Sequence, residues 1–168
     1  REFLTFASKE ILKKTQQGST KTVEHENYLV HTVSMNTKLG SIGSVLITDH
    51  EYSARVAYSV LEKSINEFTN ELLFVKKDIS KIQKDTNIRS PYLEKMIKDA
   101  QDPTKVDNIS KIKNQMEESV EILHETIEQV LERGSKINDL VEQSQDLSNS
   151  TKRFYKEAKK QNDCCILM

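Results

Sequence analysis

Val130-Leu131-Glu132-Arg133-Gly134-Ser135-Lys136-Ile137-Asn138-Asp139-Leu140 is the stretch from which the rest of this chain is read. Counting back from Arg133 in alternating steps of three and four gives Val130, Thr126, Leu123, Ser119, Met116, Ile112 and Ile109. Counting forward gives Ile137, Leu140, Ser144, Leu147, Thr151, Phe154, Ala158 and Gln161. Ten of these sixteen positions are apolar, five are small or amide residues, and one is Arg133. A repeat of 3.5 residues held this long is the a/d seam of a coiled coil. Between the seam positions lie mostly Glu, Lys, Gln, Asn and Asp, with no proline and one glycine. As one continuous helix, residues 109–161 would form a rod of about 80 Å.

A helix with a single narrow apolar stripe is stable only when that stripe is packed against something. Residues 109–161 are therefore expected to be poorly ordered, or folded onto their own chain, until partner helices arrive. Small residues at Ser119, Thr126, Ser144 and Thr151 point to a packed multi-helix interior. Arg133 brings five hydrogen-bond donors to a seam position, and an unpaired buried charge is costly. The bland reading is that Arg133-Gly134 lets the charge swing out to solvent. The apolar phase continues through the arginine in both directions, which favours a buried register pin that meets acceptors from partner helices.

The remainder of the chain has room for one small domain. Its 168 residues carry 30% charged side chains and a net charge of −1, so no nucleic-acid-binding field is implied. A helix begins at once, with Phe3, Leu4, Ala7, Ile11 and Leu12 on one face and Gly18 as its stop. Strand-like runs follow at 20–25, 28–35 and 41–48, joined by short connections that argue for antiparallel neighbours. Asp49 or Ser53 is placed to cap a second helix whose apolar side carries Val56, Ala57, Val60, Leu61, Ile65 and Phe68. Pro91 opens a short helix through Ala100, which Asp102-Pro103 ends. Helix, antiparallel strands, helix is an α+β order.

Both cysteines fall in the last five residues, which excludes a disulfide framework. Cys165-Ile166-Leu167-Met168 is a C-a-a-X ending, with methionine in the position typical of farnesylation. One lipid gives marginal, reversible membrane binding and stable anchoring needs a second signal, for which Cys164 is the candidate. Lys152, Arg153, Lys156, Lys159 and Lys160 add a secondary basic collar, diluted by Glu157 and Asp163.

Residues 130–140, the downstream Phe154-Tyr155-Lys156 and the ending Cys164-Cys165-Ile166-Leu167-Met168 resemble the prenylated longin-type R-SNAREs, the Ykt-six family of synaptobrevin homologues. The resemblance covers nearly the whole chain. It implies a longin (profilin-like) domain of antiparallel strands with flanking helices, followed by a long SNARE helix. The corresponding division is 1–72 longin domain, 73–108 its end and a linker, 109–161 R-SNARE motif, and 162–168 lipidated tail. Longin domains begin with two strands before the first helix, so the sequence is expected to be incomplete at its N-terminus, leaving one edge of strand 41–48 bare.

For function, the resemblance implies a parallel four-helix bundle in which Arg133 faces three glutamines donated by Q-SNARE helices. Ile109, Ile112, Met116, Leu123, Val130, Ile137, Leu140, Leu147, Phe154 and Ala158 would be its other partner-binding residues. It also implies palmitoylation of Cys164, where a second prenyl group is the alternative, beside farnesyl on Cys165. A longin domain folded back on the SNARE segment would shelter the lipid, in a groove supplied by residues 52–68 or by a strand edge. The expected location is the cytosol and the cytosolic face of Golgi, ER-derived and endosomal or vacuolar membranes. Enzyme readings find no support: the P-loop, H-E-x-x-H and nucleophile-elbow patterns are absent, and His25, His31, His50 and His124 lack metal-ligand spacing. No catalytic residue, metal or small-molecule substrate is expected. The competing function is a lipid-anchored coiled-coil tether or trafficking adaptor without fusogenic activity.

Overall fold

The computed structural model describes residues 2–25, 27–75, 86, 88–102, 105, 125–132 and 137–165, except the side chains of 125, 128, 132 and 161–165. Helix α1 (Glu2–Lys14) is followed by strands β1 (Thr20–His25), β2 (Tyr28–Thr37) and β3 (Gly40–Thr48), then by helices α2 (Ala54–Phe74) and α3 (Pro91–Ala100). The C-terminal part supplies a two-residue strand β4 (Glu125–Thr126) and helices α4 (Ile127–Glu132), α5 (Ile137–Gln143) and α6 (Asn149–Cys165). The sheet order is β3-β2-β1-β4, with two antiparallel pairings and β4 added parallel to β1.

Strand alternation sends successive side chains to opposite faces, and here each face has its own helix. Val23 of β1 and Val30 of β2 join Phe6, Ala7 and Ile11 of α1. Val33 meets Tyr58, Leu61 and Ile65 of α2, with Met35, Ile42 and Leu46 packed around them. Because both faces are covered, β2 is buried almost continuously from Leu29 to Ser34. Helix α1 crosses β3 so closely that a Cβ on Gly43 would lie 2.5 Å from the Leu12 side chain. The left-handed φ of +75° at Gly18 lets the chain leave α1 and return, its N–H donating to Ser34 O at 2.9 Å.

Under α2 lies a buried polar chain. His31, fully buried, has Nδ1 2.8 Å from Thr22 Oγ1 and Nε2 3.0 Å from Thr48 Oγ1. Tyr58 Oη is 2.5 Å from the same Thr22 hydroxyl, and its ring stands edge-on to the imidazole. Burial holds the His31 imidazole down to about 4, so it is neutral at physiological pH, and burial pushes the Tyr58 phenol up. This explains one departure from the apolar pattern of α2: Tyr58 goes inside while Phe68 is only half buried. A second departure concerns the cap. Ser53 stands at the N-cap without a side-chain hydrogen bond, and Asp49 instead accepts from Glu51 N and Tyr52 N in a turn ahead of the helix. Helix α3 starts at Pro91 behind Ser90, which accepts from Leu93 N and donates to Glu71 on α2.

A single rod over 109–161 is not the conformation present. Among the described residues the segment breaks into β4, α4, α5 and α6, and residues 144–148 leave the helix altogether. The cause is the one that makes a lone stripe unstable: without partner helices, Ile127, Val130, Leu131, Ile137, Val141 and Leu147 wrap onto the sheet and α1.

Candidate functional site

The candidate site is the seam itself, together with the surface that now covers it. Thr126 begins the docked part. Its backbone N–H reaches Gln129 Oε1 at 3.0 Å, while its hydroxyl accepts from Gln129 N at 3.3 Å. That reciprocal pair is a capping box, so a seam residue that would lie mid-rod starts a helix instead. Just before α4, Glu125 and Thr126 pair with Val23 and Glu24, closing the outer edge of β1.

Helix α4 then lays Ile127, Val130 and Leu131 into the cluster formed by Phe6, Ala7, Ile11, Val23 and Val30. Ile137 and Val141 of α5 and Leu147 beyond it complete the cluster, all six being at most 5% exposed. Three of the six, Val130, Ile137 and Leu147, are seam positions, and Leu140 is half buried against them. Ile127, Leu131 and Val141 each stand one residue past a seam position. They therefore serve the fold-back in a way that a four-helix seam does not require.

Polar contacts from α1 fasten the same surface. Lys14 Nζ donates to Leu131 O at 2.7 Å, placing a cation at the C-terminal end of α4. Lys9 pairs with Asp146 at 3.0 Å in the non-helical stretch. Glu2 Oε2 accepts from Ser148 N at 3.1 Å, Ser148 Oγ at 2.7 Å and Thr151 Oγ1 at 2.7 Å, which puts a carboxylate on the N-terminus of α6. Those donors, Ser148 foremost and then Thr151, hold the Glu2 carboxyl below its usual range. Phe3 stacks on Tyr155 with ring centroids 5.1 Å apart, and Lys156 pairs with Glu142.

Of the partner-binding residues expected from sequence, Val130, Ile137 and Leu147 are thus buried, Leu140 and Ala158 are half buried, and Phe154 is 74% exposed. Ile109, Ile112, Met116, Leu123 and Arg133 lie outside the described residues. Cys164 and Cys165 end the α6 backbone, their side chains being outside the description. Among the described residues the fold-back uses α1 and the β1 edge, while α2 packs on the other sheet face and on α3. Sequence reading missed Ile127, Leu131, Val141 and Glu2. Apolar residues off the seam of an otherwise polar helix were the available signal for the first three.

Residues 1–90 match the longin family, described as a Regulated-SNARE-like domain, and residues 108–165 match the synaptobrevin family. Over 99% of its length the chain is 41% identical to the synaptobrevin homologue YKT6 of Debaryomyces hansenii, covering 82% of that protein. The synaptobrevin homologue ykt6 of Schizosaccharomyces pombe is 37% identical over 99% of this chain and 81% of its own. The Saccharomyces cerevisiae synaptobrevin homologue YKT6 is 36% identical over 99% and 82%. The chain belongs to the Ykt6 family of longin-type R-SNAREs. The geometry now has a family context: an R-SNARE segment is docked on its own longin domain. Members of the family work in vesicle trafficking, are not enzymes, and assemble with SNARE partners. Among the described residues no helix is long and apolar enough to cross a membrane.

Proposed function

We propose that the chain is an R-SNARE whose residues 109–161 contribute one helix to a four-helix bundle that drives fusion of vesicle and target membranes. Arg133 meets glutamines from three Q-type helices midway along that bundle, and Ile109 to Ala158 supply the apolar layers. The observation that carries this reading is the burial of Val130, Ile137 and Leu147 against α1 and β1. The part of the stripe at Val130, Ile137 and Leu147 that foreign helices would cover is covered here by the chain's own domain, so assembly and fold-back exclude each other. The proposed division is 1–72 longin domain, 73–108 its end and a linker, 109–161 bundle helix and 162–168 lipidated tail.

Farnesyl on Cys165 and a palmitoyl or second prenyl group on Cys164 anchor the chain reversibly to the cytosolic face of Golgi, ER-derived, endosomal or vacuolar membranes. Cys165 lies four positions after Gln161, at most about 14 Å away along the chain, so zippering toward Gln161 draws the lipid-bearing end toward the anchors of the partners. The chain performs no catalysis and takes no cofactor other than these lipids.

The test mixes the full chain with three Q-type helices and scores an SDS-resistant complex. Formation of the complex, its loss in Leu140→Asp, and recovery of an Arg133→Gln chain when one partner glutamine becomes arginine are expected. A chain that assembles equally well as Leu140→Asp contradicts the proposal.

A further inference from the structure

We propose that α6 is a membrane-surface helix in its own right, engaged by an anionic bilayer while the fold-back is still in place. The fold-back covers the seam unevenly. Val130, Ile137 and Leu147 are at most 5% exposed, whereas Phe154, two seam steps further on, is 74% exposed. Among the described residues, the contacts from α1 fall in the first half of α6: Glu2 on Ser148 and Thr151, and Phe3 on Tyr155. At 1.5 Å per residue the seventeen residues of α6 run about 25 Å, most of it past those contacts.

What α6 presents is specific in chemistry. Positions 154, 158, 161 and 165 follow one another at steps of four, three and four, a single line along a helix. Phe154 is the large apolar side chain on that line and Ala158 follows it. Lys152, Arg153, Lys156, Lys159 and Lys160 outnumber Glu157 and Asp163 over the same seventeen residues. Lys152 and Lys156 reach back to Glu142, which ties part of the cationic set to α5 without neutralising the helix. An uncovered aromatic among lysines suits the boundary between headgroups and acyl chains, where the ring enters the apolar layer and the long cationic side chains reach outward. Charge complementarity names the occupant: a surface rich in anionic lipid, not a second copy of this helix, whose own cations would oppose it. With one large apolar anchor the binding is weak and reversible, and a lipid attached at the distal end of α6 would add to it.

The inference deepens the membrane part of the proposed function, and its test is independent of lipidation. A full chain carrying Cys164→Ser and Cys165→Ser is co-sedimented with phosphatidylcholine vesicles, with or without about one-third phosphatidylserine. Binding to the anionic vesicles alone, falling with added salt, is expected. Removing one cation should weaken it roughly fivefold, so Lys159→Glu with Lys160→Glu should weaken it by more than about twenty-fivefold. Phe154→Ser should also weaken it, and amide exchange across α1 and β1 should stay unchanged on binding. Binding indifferent to these substitutions, binding seen only once α1 and β1 open, or self-association without vesicle binding would each overturn the proposal. Fusion-complex assembly by the same Cys-free chain reports separately on the bundle.

Discussion

Leu131 offers the sharpest separation of fold-back from assembly. Its side chain is fully buried among α1, β1 and the other α4 and α5 residues, yet it lies one position off the seam. Leu131→Ala keeps a good helix former, leaves every seam residue in place, and retains the backbone carbonyl that Lys14 reaches. Truncating a buried leucine costs about 2–5 kcal/mol, most when the cavity does not collapse. Here the cost falls on the closed form alone, because the opened segment has already left the cluster. The ratio of closed to open chains should therefore drop by a factor of about thirty to several thousand. Amide exchange across β1 and α1 reads the opening, and the rate of complex formation with Q-type helices reads its consequence. Both should rise. Leu61→Ala, a comparable cavity between α2 and the far face of the sheet, serves as the control that lowers stability without exposing the seam. If Leu131→Ala leaves exchange and assembly rate unchanged, or if Leu61→Ala accelerates assembly equally, the fold-back is not the brake.

Other outcomes follow from the same contacts. His31 is held neutral in the fold with its value depressed to about 4 from 6.5, so the stability it contributes is present above pH 6.5 and is lost as pH falls toward 4. The upper limit of that loss is about 3 kcal/mol, and urea midpoints at pH 7.5 and 4.5 should differ less in His31→Gln than in the parent chain. Glu2→Gln should loosen the first turn of α6 alone, read as faster amide exchange at residues 149–152 with α4 unaffected. Because the Glu2 carboxyl is held below its usual range, its contribution persists above that range and fades on acidification, and a pH-independent difference from Glu2→Gln would oppose this. Ser90→Ala should cost about 1 kcal/mol in thermal stability through the lost α3 cap, without changing assembly rate.

The strands and helices of the longin half were legible because their signals are local. Strand-like runs with short connections marked β1 to β3, Pro91 marked the start of α3, and a one-sided apolar face marked α2. The seam was legible for the same reason, its period being carried by the residues themselves. The docked arrangement was not, because it depends on contacts between residues more than a hundred positions apart, such as Lys14 with Leu131 and Glu2 with Thr151. A two-residue strand such as β4 leaves no alternation to read. Thr126 shows the tension most plainly: as Thr-x-x-Gln it can start a helix, and at its seam phase it can sit within one. Which role it takes depends on whether the apolar residues after it meet α1 or foreign helices. Tyr58 was hidden because its hydroxyl meets Thr22, 36 positions away on another element.

The central claim is that one stripe has two mutually exclusive owners, the chain's own domain and the partner helices. It is tested most directly by the separation between spin labels at Lys13 on α1 and Gln145 beyond α5, measured in the free chain and in the assembled complex. A short, narrow distribution in the free chain that becomes long and leaves no short fraction on assembly is the predicted result. A short separation that survives in the assembled complex would contradict it.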